Sequence, residues 1–313
     1  ESILKNKKCD PQFLEKSIFA FGLLEALSVS GASFIFKGGT SLMLLLDKPM
    51  RLSTDIDILV DKNYDIEKYI ELASTRFPFK RFEKDERKGK NGIVKKHFKF
   101  FYDSPFFKDR ELYILLDVLF ENNNYSDVIE KEIVTDFLNV DSNKIMVKTP
   151  NIDSILGDKL TAFAPNTIGI QFDLVTKFDE KISKRIEVIK QFFDVACLFD
   201  KGLDFNKIKD SYIKIANAEL AYRNLNITYK ECLIDSFQSA LCLFSKGRLA
   251  NKDYEDLLEG VKRISGYIYG TKVNNENIYQ YAAKVMLLSA GLLADFDVIN
   301  LKKYEYPLKI YTV

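Results

Sequence analysis

Histidine is nearly missing from this chain, at one residue in 313. Zinc hydrolases, His-based catalytic dyads and His-rich metal sites therefore lack the side chains they need. Tryptophan is absent and proline is scarce, at seven. The four cysteines, Cys9, Cys197, Cys232 and Cys242, show no C-x-x-C spacing. The last three sit in apolar, helix-like runs and read as buried free thiols of a reducing compartment. No stretch approaches the ~18 to 20 apolar residues that a membrane-spanning helix requires. Residues 1–10 are polar and lysine-rich, without the apolar core of a signal peptide, so a cytoplasmic chain without membrane contact is expected. An excess of charge is lacking too. Lys and Arg number 46 against 45 Asp and Glu, a formal net charge of +1, so attraction to a polyanion would have to be local.

What is present is ample apolar material. Hydrophobic residues make up 47% and charged residues 29% of the chain, enough for a sizeable core under a soluble surface. At ~150 residues per domain the length suggests about two domains.

Asp10-Pro11 reads as an N-cap with Pro at the first helical position, opening a helix to about Ser28. Phe34-Ile35-Phe36 is a short strand running into Gly38-Gly39. Thr40-Ser41 is expected to cap a very apolar helix, Leu42 to Leu46. Residues 55–60 alternate as a strand does, and a helix follows at 66–76. Residues 79–86 and 93–102 form an expected hairpin with Asn-Gly in its turn. Residues 112–120 make another strand, and 144–148 a last short one. Thr149-Pro150 is expected to open a helix to about Phe163, followed by a loop over 164–178. From residue 180 the helical period is almost continuous, over 180–200, 204–222, 227–245, 251–265 and 275–295. The expected fold is α+β: a mixed β-sheet with flanking helices over 1–149, then a helical domain over 150–313.

The sharpest chemical feature is Lys37-Gly38-Gly39-Thr40-Ser41-Leu42 followed by Arg51-Leu52-Ser53-Thr54-Asp55-Ile56-Asp57. A lone acidic pair at i,i+2 is weak evidence, since roughly six arise by chance in such a chain. The context is what gives it weight. Residues i and i+2 of a strand share a face, so Asp55 and Asp57 present two carboxylates side by side. Their repulsion is relieved by a bound Mg²⁺. Glycines before a helix N-terminus let backbone N–H groups approach phosphate oxygens, and Thr40 and Ser41 add hydroxyl donors. A phosphate cradle beside a divalent-metal site is the requirement of nucleotidyl transfer. The alternative is a tight turn next to an exposed acidic strand end.

Asp117, inside Leu115-Leu116-Asp117-Val118-Leu119, is costly there unless paired or metal-bound. It is either a third metal carboxylate and general base, or an acid on the solvent face of an edge strand. Lys159, among apolar helix positions, suits either a triphosphate contact or solvent. Lys190 and Asp194, at i,i+4, share a helix face and are equally well an ordinary surface ion pair.

These segments together, in order over about residues 30–200, resemble the AbiEii/AbiGii toxin family within the polymerase-β-like nucleotidyltransferase superfamily. Thr161 to Gly169 also resembles a segment recurring in one branch. The resemblance implies that Asp55 and Asp57 hold metal, with Asp117 as the third carboxylate by order. It implies triphosphate binding by Gly38, Gly39, Thr40 and Ser41, phosphate contact by Lys159, and a helical active-site acid at Asp194. Arg51, Ser53 and Lys190 fall on the same motifs and are expected at the substrate. The implied cofactor is Mg²⁺, with Mn²⁺ as a substitute, and the implied substrate an NTP. A separately encoded antitoxin and a tRNA acceptor are the implied partners.

A local basic region fits an RNA acceptor. Residues 76–99 hold ten Lys and Arg against three acids, interleaved with Phe79, Phe82, Phe98 and Phe100. The other reading is a solvated hairpin whose phenylalanines face the core. His97, in the same hairpin, is expected to be a strand-face residue without a catalytic role. The resulting expectation is a Mg²⁺-dependent nucleotidyltransferase acting on RNA. Transfer to a protein or small-molecule hydroxyl, and a non-catalytic nucleotide-binding module, are the alternatives.

Overall fold

The computed structural model describes residues 10–85, 94–107, 110–135, 144–175, 180–269, 273–274 and 276–303. Cys9 and the hairpin turn at 88–92 lie outside them. Asp10 caps helix α1, Pro11–Val29: its carboxylate accepts from the N–H of Gln12 at 2.8 Å and of Phe13 at 3.3 Å. Strand β1, Ile35–Lys37, runs directly into α2, Gly38–Leu45. The helix thus begins two residues before Thr40, and Thr40 and Ser41 are not its caps. Then come β2 (Ile56–Val60), α3 (Glu67–Ser74), β3 (Arg81–Asp85), β4 (Val94–Asp103), β5 (Glu111–Phe120), β6 (Val128–Glu132) and β7 (Met146–Pro150).

These seven strands form one mixed sheet in the order β3-β4-β5-β2-β1-β7-β6. β2 and β5 are parallel, as are β1 and β7; the other neighbours are antiparallel. Edge strand β6 has no counterpart in the sequence reading. Its segment, Val128-Ile129-Glu130-Lys131-Glu132, is too charged to alternate cleanly. Thr149 and Pro150 end β7 and do not open a helix; Asn151 does, accepting from the N–H of Ser154 at 2.8 Å.

Successive strand residues point to opposite faces. Ile56, Ile58, Ile114, Leu116, Val118, Phe98 and Phe100 are all buried on one face, in a core shared with α1 and α3. The other face carries Asp57, Asp117 and His97. A second core is built by α4 (Ile152–Ala162), α5 (Arg185–Phe199), α6 (Phe205–Arg223), α7 (Tyr229–Phe244), α8 (Tyr254–Arg263) and α9 (Ile278–Ala294). A two-stranded pairing of β8 (Asp173–Val175) and β9 (Lys181–Ser183) stands between α4 and α5; β8 lies in the expected loop, and β9 takes the first turn of the helix expected over 180–200, which begins only at Arg185.

Helix α2 is apolar all round because it touches both cores: Met43 and Leu44 join the sheet core, Leu42 and Leu45 the helical one. A second tie is backbone pairing. Leu52 N–H donates to Tyr267 O at 2.7 Å, and Tyr269 N–H to Met50 O at 3.0 Å. The helical part is thereby fixed against the chain that leads into the acidic pair. Among the described residues, no helix is long and apolar enough to cross a membrane.

Candidate active site

The sheet's register lines up four ionisable residues. Lys37 of β1 is opposite Asp57 of β2, Asp57 is opposite Asp117 of β5, and Asp117 is opposite His97 of β4. Partners in register on one face have side chains within reach of each other. Asp57, at the centre, has its pKa pushed up to about 7, by burial first and then by the Asp117 and Asp55 carboxylates, against the pull of Lys37 and Lys159. Asp55, just before β2, stays accessible to solvent. Desolvation by its surroundings raises its pKa, Lys190 opposes that, and Asp117 adds to it. His97 Nδ1 lies 2.6 Å from Asp117 Oδ1. The lone histidine therefore holds a candidate active-site carboxylate, a role invisible without the pairing of β4 and β5.

The two glycines have a steric reason. Gly38 sits at φ +81°, and a Cβ there would lie 2.0 Å from Asp57 Oδ2. A Cβ on Gly39 would lie 2.7 Å from Ser53 Oγ and 2.8 Å from the Arg51 guanidinium. Both positions thus let the acidic segment lie directly against the start of α2. Thr40 and Ser41 are fully buried. Thr40 Oγ1 donates to Asp55 O at 2.5 Å and Ser41 Oγ to Gly38 O at 2.9 Å. Both hydroxyl donors are thus engaged in bracing the backbone, where free donors to a phosphate were expected.

Asp194 is likewise a buried anchor and neither a solvent-facing acid nor the partner of Lys190. Arg51 Nε donates to Asp194 Oδ1 at 2.7 Å and Arg51 Nη2 to Oδ2 at 2.6 Å, while Lys159 Nζ lies 3.1 Å from Oδ2. Burial opposes its charge, but Arg51 and Lys159 hold the Asp194 carboxyl below the usual range. Lys159 also donates to Gln191 Oε1 at 3.1 Å and is itself only 5% exposed. Arg51, Lys159 and Asp194 form one ion cluster that joins the β2 lead-in to α4 and α5. Lys190 stands instead with its Nζ 3.6 Å from the centre of the Tyr267 ring. Burial, then Arg51, lowers its pKa to about 8.

Lys37 opens the glycine motif but was assigned no role from sequence. Its Nζ lies 3.3 Å from Asp158 Oδ2, the oxygen that also accepts from Tyr125 Oη at 2.7 Å. Burial opposes the charge on Lys37, yet Asp158 and Tyr125 more than offset it and hold its pKa well above the ordinary value. Its place next to Gly38-Gly39 was the one available sequence signal. Lys37, Tyr125, Asp158, His97 and Asp117 line a cleft of about 660 Å³. Its far wall is Ile168, Gly169 and Ile170 from the turn after α4, with Ile215 and Ala218 of α6. Asn166 holds that turn to α7, through its N–H to Asp235 Oδ2 at 2.8 Å.

Among the described residues, no three His, Cys, Asp or Glu side chains converge as a ready-made metal cluster. The donor set at the row nevertheless suits a hard divalent cation. Asp55, Asp57 and Asp117 offer carboxylate oxygens, and a value of about 7 at Asp57 marks negative charge in want of a counter-ion.

In the basic hairpin, Phe79, Phe98 and Phe100 are buried in the sheet core. Among the described residues, Lys80 pairs with Asp103, Arg81 with Glu83 and Glu111, Lys84 and Lys96 with Glu67, and Lys99 with Asp85. Phe82 is half-buried against the same core, its ring 5.9 Å from that of Phe100, so the interleaved phenylalanines serve the core. Strand alternation sends them inward.

A solved structure of an antigenic nucleotidyltransferase-like protein from Paracoccidioides brasiliensis is similar at 15% identity and a TM-score of 0.41, over 67% of this chain and 90% of its own. No curated protein matches. The family model described as "Nucleotidyl transferase AbiEii toxin, Type IV TA system" matches residues 22–264. That span takes in the glycine pair, the acidic row, the ion cluster and the cleft walls, and it places the chain in the AbiEii family of nucleotidyl transferase toxins of type IV toxin–antitoxin systems.

Proposed function

We propose that this chain transfers a nucleotide from an NTP to a hydroxyl of RNA, with tRNA as the acceptor, in a Mg²⁺-dependent reaction. The observation that carries the reading is the row Lys37, Asp57, Asp117 and His97 at one register, with Asp57 poised near neutrality for want of positive charge. Mg²⁺ held by Asp55, Asp57 and Asp117 would neutralise the triphosphate and lower the pKa of the attacking hydroxyl.

The chain's own groups do the rest. Lys37 and the backbone N–H groups at the start of α2 take the phosphates, from the cleft side of the row. The acceptor oxygen bonds to the α-phosphorus, the bond to the bridging oxygen breaks, and pyrophosphate leaves. The hydroxyl proton passes to Asp117, which His97 orients. Arg51, Lys159 and Asp194 touch no ligand; they position the β2 lead-in against α4 and α5. A separately encoded antitoxin restrains this activity in the cytoplasm.

The test is incubation of the protein with total tRNA and each α-labelled NTP. Label in RNA with Mg²⁺ and none with EDTA is expected. Label confined to protein or to a soluble product would refute the RNA acceptor, and no transfer with any NTP would refute the reading itself.

A further inference from the structure

The acidic row divides the open face of the sheet in two. Two residues beyond it, Leu59 and Leu119 line the cleft. On the other side lie Leu115 and Tyr113 of β5, with Lys99 and Phe101 of β4 opposite them. Strand alternation sets Tyr113 and Phe101 on the face of Asp117 and His97, the face that Phe98 and Phe100 do not share. The Phe101 and Tyr113 rings lie 5.7 Å apart, and the Arg81 guanidinium covers Phe101, with its Cζ 3.6 Å from the ring centre. Tyr113 is 39% exposed.

Cations flank these rings. Lys16 Nζ is 5.0 Å from the centre of the Tyr113 ring and Lys99 Nζ is 5.3 Å from it. Lys16 projects from α1 and also acts electrostatically on Asp55. One turn earlier in α1, Phe13 stacks on Tyr267 at 4.2 Å, and Lys190 stands over the far side of this pair, also acting on Asp55. Aromatic rings and cations thus alternate along the side of Asp55 away from the cleft.

Resting on the proposed transfer, the geometry points to this strip, Tyr113 and Lys16 leading to Asp55, as the track on which a single-stranded end of the acceptor RNA lies. In-line displacement requires the acceptor to approach from the side opposite the departing pyrophosphate. With the phosphates on the Lys37 side, the acceptor enters past Asp55. Ring faces take bases of any sequence, and ammonium groups take the phosphates between them. The acceptor is therefore recognised through unpaired nucleotides and not through a duplex.

The test is direct binding of a fluorescein-labelled single-stranded oligoribonucleotide, followed by transfer to the same strand. Tyr113→Ala should weaken binding at least about fivefold, the effect of losing one base stack. Tyr113→Phe, which keeps the ring, should retain wild-type affinity. Lys16→Gln should reduce the slope of log affinity against log salt by about 0.7, the effect of one phosphate contact. Lys131→Gln, on β6 at the far edge of the sheet, should change neither. Equal affinity and slope for wild type, Tyr113→Ala and Lys16→Gln would overturn the track, as would failure of the wild type to bind the strand. If wild type labels RNA and these two variants label it equally well, the track falls and the transfer reading stands. If wild type binds the strand through Tyr113 and Lys16 but transfers no label, the reverse holds.

Discussion

Asp57→Asn should make the metal-free protein more stable at alkaline pH while removing its chemistry. The Asp57 carboxyl has a pKa of about 7 in the fold against an ordinary 3.8. Because the folded value is the higher one, the native state holds the proton more tightly than the unfolded chain between those limits. Wild-type stability therefore falls as pH rises from about 4 to about 7 and stays low above that. At ~1.36 kcal/mol per pKa step, the interval from 3.8 to about 7 corresponds to about 4 kcal/mol. This is a ceiling, because Asp57 titrates together with its neighbouring carboxylates, and part of the shift belongs to the group and not to Asp57 alone. Asparagine keeps the shape without the charge. Denaturant melts in EDTA at pH 4 and at pH 8.5 measure the effect. Near pH 4 the two proteins should be about equally stable, and at pH 8.5 the variant should be ahead by up to about 4 kcal/mol. Adding Mg²⁺ at pH 8.5 should stabilise the wild type and narrow the gap, since a ligand bound only by the native state adds stability. A variant that is destabilised alike at both pH values would refute the claim that Asp57 carries uncompensated charge.

Other perturbations follow from the same geometry. Gly38→Ala places a methyl 2.0 Å from Asp57 Oδ2 at φ +81°; it should cost at least about 2 kcal/mol in a denaturant melt and abolish transfer. Arg51→Met leaves Asp194 with only Lys159 and should cost about 3 to 5 kcal/mol, whereas Arg51→Lys should cost less, both read as midpoint shifts. Thr40→Val removes the donor to Asp55 O and should cost about 1 to 3 kcal/mol, while Thr40→Ser stays near wild type. Lys37→Met should raise the KM for NTP by about tenfold or more in steady-state assays and also lower the denaturation midpoint, because Asp158 keeps its bond from Tyr125 but loses its cation.

Local patterns were legible in the sequence, and cross-strand relations were not. The cap at Asp10, the alternation through Asp55 and Asp57, and the glycine pair before a helix are all set by neighbours in the chain, and sequence exposes them. The row that joins Lys37, Asp57, Asp117 and His97 exists only through the register of four strands, and no periodicity reports register. The burial of Asp194 was hidden for a related reason. At i,i+4 from Lys190 it looks like half of a surface pair, but its partners Arg51 and Lys159 come from distant segments. Thr40 and Ser41 resemble caps because of their type, yet the helix starts two residues earlier, where Gly38 alone tolerates φ +81°. In the basic hairpin the alternation itself held the answer. Phe98 and Phe100 share one parity and Lys95, His97, Lys99 and Phe101 the other, and only the second faces the acidic row.

The central claim is that this row transfers the nucleotidyl group itself. Parallel reactions with the same NTP labelled on the α- or the γ-phosphate, in Mg²⁺ with total tRNA, test it most directly. The α-label should enter the RNA, the γ-label should leave as pyrophosphate, and Asp57→Asn should abolish both. Entry of the γ-label into the acceptor, or equal α-label incorporation by Asp57→Asn and wild type, would contradict the account.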